Sequence, residues 1–366
     1  MVNVRSDLFP TWKWNEQEEM LHVHRMQRIT QGYIQSQQCA YWTPVKSSSN
    51  VALFEEKINN TYSIRSVITL PYPLPVVRRS LLQRETLDFK LFMRQMHGSL
   101  FLDAASLYQS KERTSEDCFG VKWIALQTPG PLGVSIDLCV MEYAHTIPSP
   151  KEKEDDDDND WFVCLWESTQ IPQCGDMYSS HALHRQSKHQ CAYIIKPTSS
   201  STCKVEFIAS LSTVHEYENV WSSYAVRALW TRVAENLSVL EQVITSERLS
   251  SQIVTKQEWI PDENRKACYL CCKSFTLFRR KHHCRVCGEV CCVYCSLYHI
   301  LILPVFGLIE VRVCKACVAG KTQENNNLRK LSKAGLYRKN TLCSTVASEY
   351  HMLSEDPTRS RRKSTY

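Results

Sequence analysis

The sequence of 366 residues contains no run of the roughly 18–20 apolar residues that a membrane-spanning helix requires. Its longest apolar stretch, residues 299–311, is interrupted by Pro304 and carries Glu310. The first residues, MVNVRSDLFPTWKW, lack the basic and then apolar layout of a secretory signal. We therefore expect a soluble intracellular protein.

The motifs of common catalytic sites are also missing. The chain has no Gly-x-Ser-x-Gly elbow, no Walker loop and no His-Glu-x-x-His sequence. Asp137 and Glu142 fall on opposite faces of a predicted strand, so they do not form a pair of carboxylates for acid–base chemistry. The sequence therefore predicts a protein that is not an enzyme.

Charge is distributed unevenly along the chain. Residues 1–258 hold 25 Lys and Arg against 30 Asp and Glu, a net charge of −5, whereas residues 259–320 hold 9 against 4, a net charge of +5. Residues 321–366 hold 10 against 4, a net charge of +6. We expect this basic C-terminal third to face an anionic partner, either a membrane surface or a nucleic acid.

Ten of the 18 cysteines fall within residues 259–320. In a reducing compartment such a dense cluster indicates metal binding rather than a disulfide framework. Eight of them form four Cys-x2-Cys pairs, a spacing that lets a short turn present two thiolates to one tetrahedral zinc ion. The pairs are Cys268 and Cys271, Cys284 and Cys287, Cys292 and Cys295, and Cys314 and Cys317. The sequence therefore predicts two zinc sites of four cysteines each, in a module of ~60 residues that needs the metal to fold.

The sequence around these pairs resembles a FYVE zinc finger. Trp259 to Asp262 read WIPD, Arg280 to Arg285 read RKHHCR, and Arg312 to Cys314 read RVC, which match the family's three motifs in order. The resemblance implies a cross-brace, in which the first and third pairs hold one zinc ion and the second and fourth pairs hold the other. Cys272 and Cys291 are then spare thiols beside the ligands. RING and PHD fingers normally use a histidine ligand, so the all-cysteine set argues against a ubiquitin-ligase function.

Basic residues cluster in the second and third of these motifs. Charge-assisted and bidentate hydrogen bonds from such a cluster suit a phosphomonoester, whereas any one of these side chains alone would be a solvated surface charge. The resemblance implies that the ligand is phosphatidylinositol 3-phosphate, with Asp262 accepting hydrogen bonds from the inositol hydroxyls. The residues that would hold the phosphates are Arg280, Lys281, His282, His283, Arg285 and Arg312.

Leu277 and Phe278 precede RKHHCR, at the place where FYVE fingers have an exposed turret loop that enters the bilayer. Burying both side chains in lipid would contribute a few kcal/mol at about 25 cal/mol per Å². The alternative is that both pack inside the module. Their position leads us to expect membrane insertion.

The segment before the finger has the pattern of an α+β domain. Residues 15–38 and 78–97 have helical spacing, strands are expected within residues 51–70 and 100–212, and residues 218–250 predict one amphipathic helix of about eight turns. This order is similar to a START-type helix-grip domain, which encloses an apolar cavity between its sheet and its last helix. The resemblance implies that the domain binds or transfers a lipid, and a closed core used for protein contacts is the alternative.

We therefore expect a START-like domain at 1–250, a linker at 251–258, a FYVE-like finger at 259–320 and a basic, disordered tail at 321–366. The expected protein is cytoplasmic and is recruited peripherally to endosomal membranes that contain phosphatidylinositol 3-phosphate, with a lipid in the START-like pocket. A single finger is expected to bind weakly, so that a homodimer or the basic tail would add avidity.

Two other functions stay open. In the first, the START-like domain mediates the protein contacts of an endosomal adaptor, and no lipid copurifies with it. In the second, the zinc module binds nucleic acid, which predicts an affinity that falls steeply with salt. We rank nucleic acid last, because the spacing is not that of a finger with a recognition helix and few aromatic residues alternate with the charges.

Overall fold

The computed structural model describes residues 9–47, 50–110, 117–130, 133–148, 160–212, 220–303 and 307–320. The tail that was expected to be disordered lies outside these residues. The chain divides into two compact units, unit 1 (Met1–Ile244) and unit 2 (Thr245–Tyr366). Within the described part of the chain, no helix combines the length and the apolar character needed to span a bilayer.

Unit 1 begins with the predicted N-terminal helix, α1 (Glu16–Gln38). Asn15 caps this helix, because its side chain accepts a hydrogen bond from the Glu18 backbone N–H at 2.9 Å. The Glu18 carboxylate in turn accepts from the Asn15 N–H at 3.0 Å. Glutamates in the first turn also complement the positive end of the helix dipole. The helix predicted over residues 15–38 is confirmed.

A ten-stranded sheet forms the body of unit 1. Its strands are β1 (Thr43–Val45), β2 (Ala52–Ile58), β3 (Thr61–Leu70), β4 (Phe101–Gln109), β5 (Cys118–Gln127), β6 (Ser135–Ile147), β7 (Trp161–Ser168), β8 (His184–Arg185), β9 (His189–Ser199) and β10 (Thr202–Ser212). They follow the order β1-β2-β3-β10-β9-β7-β6-β5-β4, in which neighbours are antiparallel, and β8 pairs with β6 in parallel. The α+β class predicted for this domain is confirmed.

Helices precede, interrupt and follow the sheet, and the further ones are α2 (Leu74–Leu81), α3 (Thr86–His97), α4 (Tyr178–His181), α5 (Val220–Glu235) and α6 (Leu240–Ser250). The prediction of one continuous helix over residues 218–250 was wrong. Residues 236–239 form a 3-10 turn that separates α5 from α6. The turn still contributes the buried Leu237, so the apolar periodicity runs through it and does not reveal the break.

Both faces of the sheet are covered by apolar cores. The α5 core packs one face against α2, α3 and α5, and the α1 core packs the other face against α1 and residues 9–14. The central strand β6 is buried from Ile136 to Ala144. Its alternate side chains enter opposite cores, Leu138 the α5 core and Cys139 the α1 core, as the pleat of a strand requires.

Two carboxylates of β6 are fully buried, and each is paired with a cation. Lys122 Nζ lies 2.6 Å from Glu142 Oε1 within the α5 core, where the Trp166 indole N–H donates to the same oxygen at 2.9 Å. Arg185 Nη2 lies 2.7 Å from Asp137 Oδ2 on the opposite face. Buried charges are tolerated because each has a partner of opposite sign.

In the described part of unit 2, two small antiparallel pairs of strands precede a short helix. The elements are β11 (His282–His283), β12 (Val290–Cys291), β13 (Ser296–Leu303), β14 (Gly307–Cys314) and α7 (Lys315–Val318). β11 pairs with β12, and β13 pairs with β14. The long apolar stretch of the sequence therefore contributes residues 299–303 to β13 and residues 307–311 to β14, and Leu301 packs against the buried cysteines.

Replacing Glu142 with leucine is expected to lower the free energy of unfolding by about 3–5 kcal/mol, because the Lys122 ammonium group stays buried without its carboxylate. The double variant Lys122→Met/Glu142→Leu removes both charges and is expected to recover most of that loss. Urea denaturation followed by tryptophan fluorescence measures both values.

The control is Arg232→Ala, which breaks a more exposed pair with Glu235 and is expected to cost at most about 1 kcal/mol. If the double variant is no more stable than Glu142→Leu, the loss does not come from the stranded charge.

Candidate metal centres and the adjoining basic pocket

Unit 2 brings eight cysteines together in two groups of four. Centre 1 is Cys268, Cys271, Cys292 and Cys295, and centre 2 is Cys284, Cys287, Cys314 and Cys317. Within each group the Sγ atoms all lie within 4.8 Å of one another. The two groups alternate along the chain, so the expected cross-brace is confirmed.

The sulfur–sulfur distances fit tetrahedral zinc sites. Zn–S bonds of about 2.3 Å at tetrahedral angles place neighbouring sulfurs about 3.8 Å apart. The distance is 3.8 Å between Cys271 and Cys292, 3.6 Å between Cys284 and Cys317, and 3.9 Å between Cys287 and Cys314. With their all-sulfur donor sets, the two groups are suited to hold two zinc ions.

Backbone N–H groups support the thiolates of both centres. Cys268 Sγ accepts from the Cys292 N–H at 3.3 Å, and Cys284 Sγ accepts from the N–H groups of Cys314 at 3.3 Å and Cys287 at 3.5 Å. Hydrogen bonds to sulfur favour the deprotonated form that binds metal. The chain around each pair is therefore folded to present thiolates.

Residues of α6 that belong to unit 2 pack against centre 2. Leu249 is fully buried in the core of unit 2. Arg248 donates through Nη1 to the Cys317 carbonyl oxygen at 3.1 Å and through Nη2 to the Val318 carbonyl oxygen at 2.6 Å. Sequence reasoning missed both contacts, because an arginine in the last turn of a helix is ordinarily a solvated charge and no motif marks it.

A pocket of about 290 Å³ is lined by residues of β11, β13 and β14 and of the segments around them. Five of the seven residues expected to bind a phosphoinositide line it, namely Lys281, His282, His283, Arg285 and Arg312. Arg280 is exposed and is not among the lining residues. Asp262 is adjacent, since its carbonyl oxygen accepts from Lys281 Nζ at 2.6 Å and its carboxylate lies 3.8 Å from His283 Nε2.

Aromatic rings hold the basic side chains of the pocket in place. The Arg285 guanidinium lies 3.9 Å from the centre of the Trp259 ring, and that ring stacks on His283 at 5.0 Å. The Arg312 guanidinium lies 4.3 Å from the centre of the Tyr298 ring. Cation–π contacts of this kind orient a guanidinium without using its N–H groups. The pocket therefore presents several fixed hydrogen-bond donors.

His283 and His282 differ in their surroundings. His283 Nε2 donates to the Ile260 carbonyl oxygen at 2.9 Å, which fixes the orientation of the ring. Partial burial and the positive charges of Arg312 and Arg280 lower the pKa of His282. At neutral pH the neutral form of His282 is therefore favoured.

Leu277 and Phe278 form the tip of a tight turn. The Thr276 N–H donates to the Arg279 carbonyl oxygen and the Arg279 N–H donates to the Thr276 carbonyl oxygen, both at 3.1 Å. The two residues between them point away from the core, so Leu277 is 88% exposed and Phe278 is 96% exposed. Both side chains are therefore exposed, and the alternative that they pack inside the module is wrong.

Two four-cysteine centres in a cross-brace, with a basic pocket formed by short strands, define a double-zinc finger. Residues 258–323 match the family model described as the FYVE zinc finger. This part of the chain is a FYVE zinc finger, as its motifs predicted.

The same region is similar to short parts of longer proteins. It is 42% identical over 66 residues to 1-phosphatidylinositol 3-phosphate 5-kinase FAB1 of Saccharomyces cerevisiae, which is 18% of this chain and 3% of that protein. It is 43% identical over 84 residues to vacuolar protein sorting-associated protein 27 of Mycosarcoma maydis, which is 23% of this chain and 9% of that protein. The chain therefore covers only a small part of either relative.

Two solved structures are similar to a larger part of this chain. The human StarD13 (DLC2) lipid transfer and protein localization domain has a TM-score of 0.39 and 15% identity, over 59% of this chain and 96% of that one. Human StAR-related lipid transfer protein 5 has a TM-score of 0.42 and 13% identity, over 61% of this chain and 98% of that one.

Cys292→Ser is expected to reduce the bound zinc from two ions per chain to one, because centre 1 loses a thiolate. The neighbouring Cys291→Ser is the matched control, since Cys291 is equally buried but belongs to neither centre. It is expected to retain both ions. Elemental analysis of the purified full-length variants measures the zinc content, and loss of an ion from Cys291→Ser would contradict the ligand assignment.

Arg248→Ala is expected to weaken zinc binding at centre 2 by about tenfold, because the backbone around Cys317 loses two charge-assisted hydrogen bonds. Competition with a chromogenic chelator measures the affinity. Arg232→Ala, an arginine of α5 in unit 1, provides the control and should leave zinc binding unchanged. Equal zinc affinity in both variants would show that α6 does not support the metal centre.

Proposed function

We propose that the FYVE finger recruits this protein to endosomal membranes by binding phosphatidylinositol 3-phosphate. The observation that carries the proposal is a pocket lined by five basic side chains, close in sequence to an exposed apolar turn. The yeast relative FAB1 is named as a 5-kinase of phosphatidylinositol 3-phosphate, which supports the same ligand for the shared finger. Recruitment would be peripheral, through the head group and the turn.

Arg285 and Arg312 are suited to hold the phosphate groups. Arg285 lines the pocket, and its buried Nη1 has no hydrogen-bond partner among the described residues. A guanidinium binds a phosphate with two parallel hydrogen bonds, and Lys281 adds a third positive charge. Asp262, at the margin, would accept from inositol hydroxyls. Glu310 also lines the pocket, and its charge would disfavour head groups with further phosphates.

The membrane itself would add to the affinity of the pocket. Residues 259–320 carry a net charge of +5 and residues 321–366 carry +6, and each basic residue near an anionic surface contributes about 1 kcal/mol. Leu277 and Phe278 would then enter the interfacial region of the bilayer. Charge would bring the protein to the surface, and the pocket would select the lipid.

For unit 1 we propose binding of a lipid, in the α5 core. Burial lowers the pKa of His189 to about 4, so its ring is neutral at physiological pH. Neither nitrogen of that ring has a partner among the described residues, and the same is true of the Trp230 indole N–H, whose ring centre lies 6.0 Å away. A hydroxyl group both donates and accepts, so it would donate to the unprotonated nitrogen of His189 and accept from the Trp230 N–H. If organic extraction of the purified protein releases no lipid, a closed core used for protein contacts is favoured instead.

Cosedimentation of the zinc-loaded full chain with liposomes tests the finger. Binding is expected to be strongest with phosphatidylinositol 3-phosphate, and weaker with its 4- and 5-phosphate isomers or phosphatidylserine alone. Lys281→Ala/Arg312→Ala is expected to lose this selectivity and at least tenfold in affinity, because two charge-assisted contacts are removed.

The matched control is Lys256→Ala/Lys266→Ala, which removes the same charge from exposed positions outside the pocket. It should lower binding to all anionic vesicles slightly and equally. If the two double variants behave alike, the finger is a nonspecific basic surface. Tight binding to DNA or RNA that falls steeply with salt would then favour the nucleic-acid alternative.

A further inference from the structure

The loop between the two cysteines of the third pair exposes apolar side chains. Val293 is 42% exposed and Tyr294 is 68% exposed. Cys292 and Cys295 on either side are ligands of centre 1, so the metal holds the ends of this loop. Neither Val293 nor Tyr294 belongs to the hydrophobic core of unit 2. Coordination therefore presents both side chains outward.

This loop lies beside the turn that carries Leu277 and Phe278. Cys271, at the start of the segment leading into that turn, has its Sγ atom 3.8 Å from Cys292 Sγ. The guanidinium of Arg279, which closes the turn, lies 5.9 Å from the centre of the Tyr294 ring. Arg279 is therefore part of the exposed turn and also lies close to the exposed Tyr294.

We propose that Val293 and Tyr294 form a second lipid-contacting site, next to the turn, that enters the interfacial region of an anionic bilayer. This inference rests on the proposed recruitment of the finger to membranes. Tyrosine suits this depth, because its ring is apolar and its hydroxyl stays in contact with water. Arg279 between the two sites is placed to meet lipid phosphates. Continuity with the proposed insertion turn, together with this charge, selects a membrane as the occupant.

The second site would change how the finger binds. Two residues at one tip anchor the module at a single point, whereas a neighbouring contact fixes its tilt and adds apolar area. Loss of the Tyr294 ring is expected to reduce vesicle affinity on the order of tenfold. Affinity for a soluble head group should be unaffected, because Tyr294 does not line the basic pocket.

The test compares the full-length zinc-loaded protein with Tyr294→Ala on two ligands. One is vesicles of phosphatidylcholine and phosphatidylserine with phosphatidylinositol 3-phosphate, and the other is soluble inositol 1,3-bisphosphate. We expect vesicle affinity to fall about tenfold and head-group affinity to stay constant, with two zinc ions retained. Val293→Asn is a second variant with the same expected direction. Tyr41→Ala, which removes an 85% exposed tyrosine from unit 1, is the control and should leave both affinities unchanged.

Three results would overturn the inference. They are unchanged vesicle binding by both variants, a parallel loss of head-group binding or zinc, and a loss of self-association without a loss of vesicle affinity. The last would assign the loop to a second copy of the chain. Failure of the proposed function looks different, because the wild-type protein would then not distinguish phosphatidylinositol 3-phosphate from its isomers. In that case the effect of Tyr294→Ala on phosphatidylserine vesicles still tests the lipid contact.

Discussion

Coordination of two zinc ions by eight thiolates is the interaction on which unit 2 depends. Among the residues that the structure describes, seven of the 13 buried residues of its core are cysteines, so little apolar area would remain to hold the module together without metal. The same coordination sets the positions of Arg285 and Arg312, since each is close in sequence to a ligand of centre 2. The coordination that stabilises the fold of unit 2 therefore also positions the two arginines of the basic pocket.

Gathering several cations in one small pocket costs electrostatic free energy, and the structure offsets it locally. Trp259 and Tyr298 stack on the two guanidinium groups, and the Asp262 carbonyl oxygen accepts from Lys281. These contacts hold the donors in place before a ligand arrives, which lowers the entropy lost on binding. The remaining repulsion among the cations is relieved when an anion binds, so the pocket attracts anions. A pocket of this kind gains most when a phosphate group enters it.

Sequence reasoning succeeded where the determinants are local. The candidate zinc ligands follow from Cys-x2-Cys spacing, and α1 follows from the helical spacing of its apolar residues. It failed where long-range pairing decides. Tyr298 meets Arg312 only because β13 and β14 pair in a register that brings these positions opposite each other. Arg248 reaches Cys317 across 69 positions of sequence, and no local pattern predicts such a contact.

The 3-10 turn at residues 236–239, which separates α5 from α6, was also not predicted from the sequence. Apolar periodicity reports which side chains are buried, and Leu237 is buried whether the backbone is α-helical or 3-10. No sequence pattern predicted the exposure of Tyr294, in the loop between Cys292 and Cys295, either. The role proposed for Tyr294 depends on the neighbouring turn that carries Leu277 and Phe278, because Arg279 of that turn lies close to the Tyr294 ring.

Calorimetric titration of the zinc-loaded full chain with short-chain, soluble phosphatidylinositol 3-phosphate tests the central claim most directly, because it removes the membrane and leaves only the pocket. The account predicts binding of one molecule per chain, at least tenfold tighter than binding of the 4- and 5-phosphate isomers, and loss of that binding after chelation of zinc. Equal affinities for the three isomers, or binding that survives removal of the metal, would contradict it.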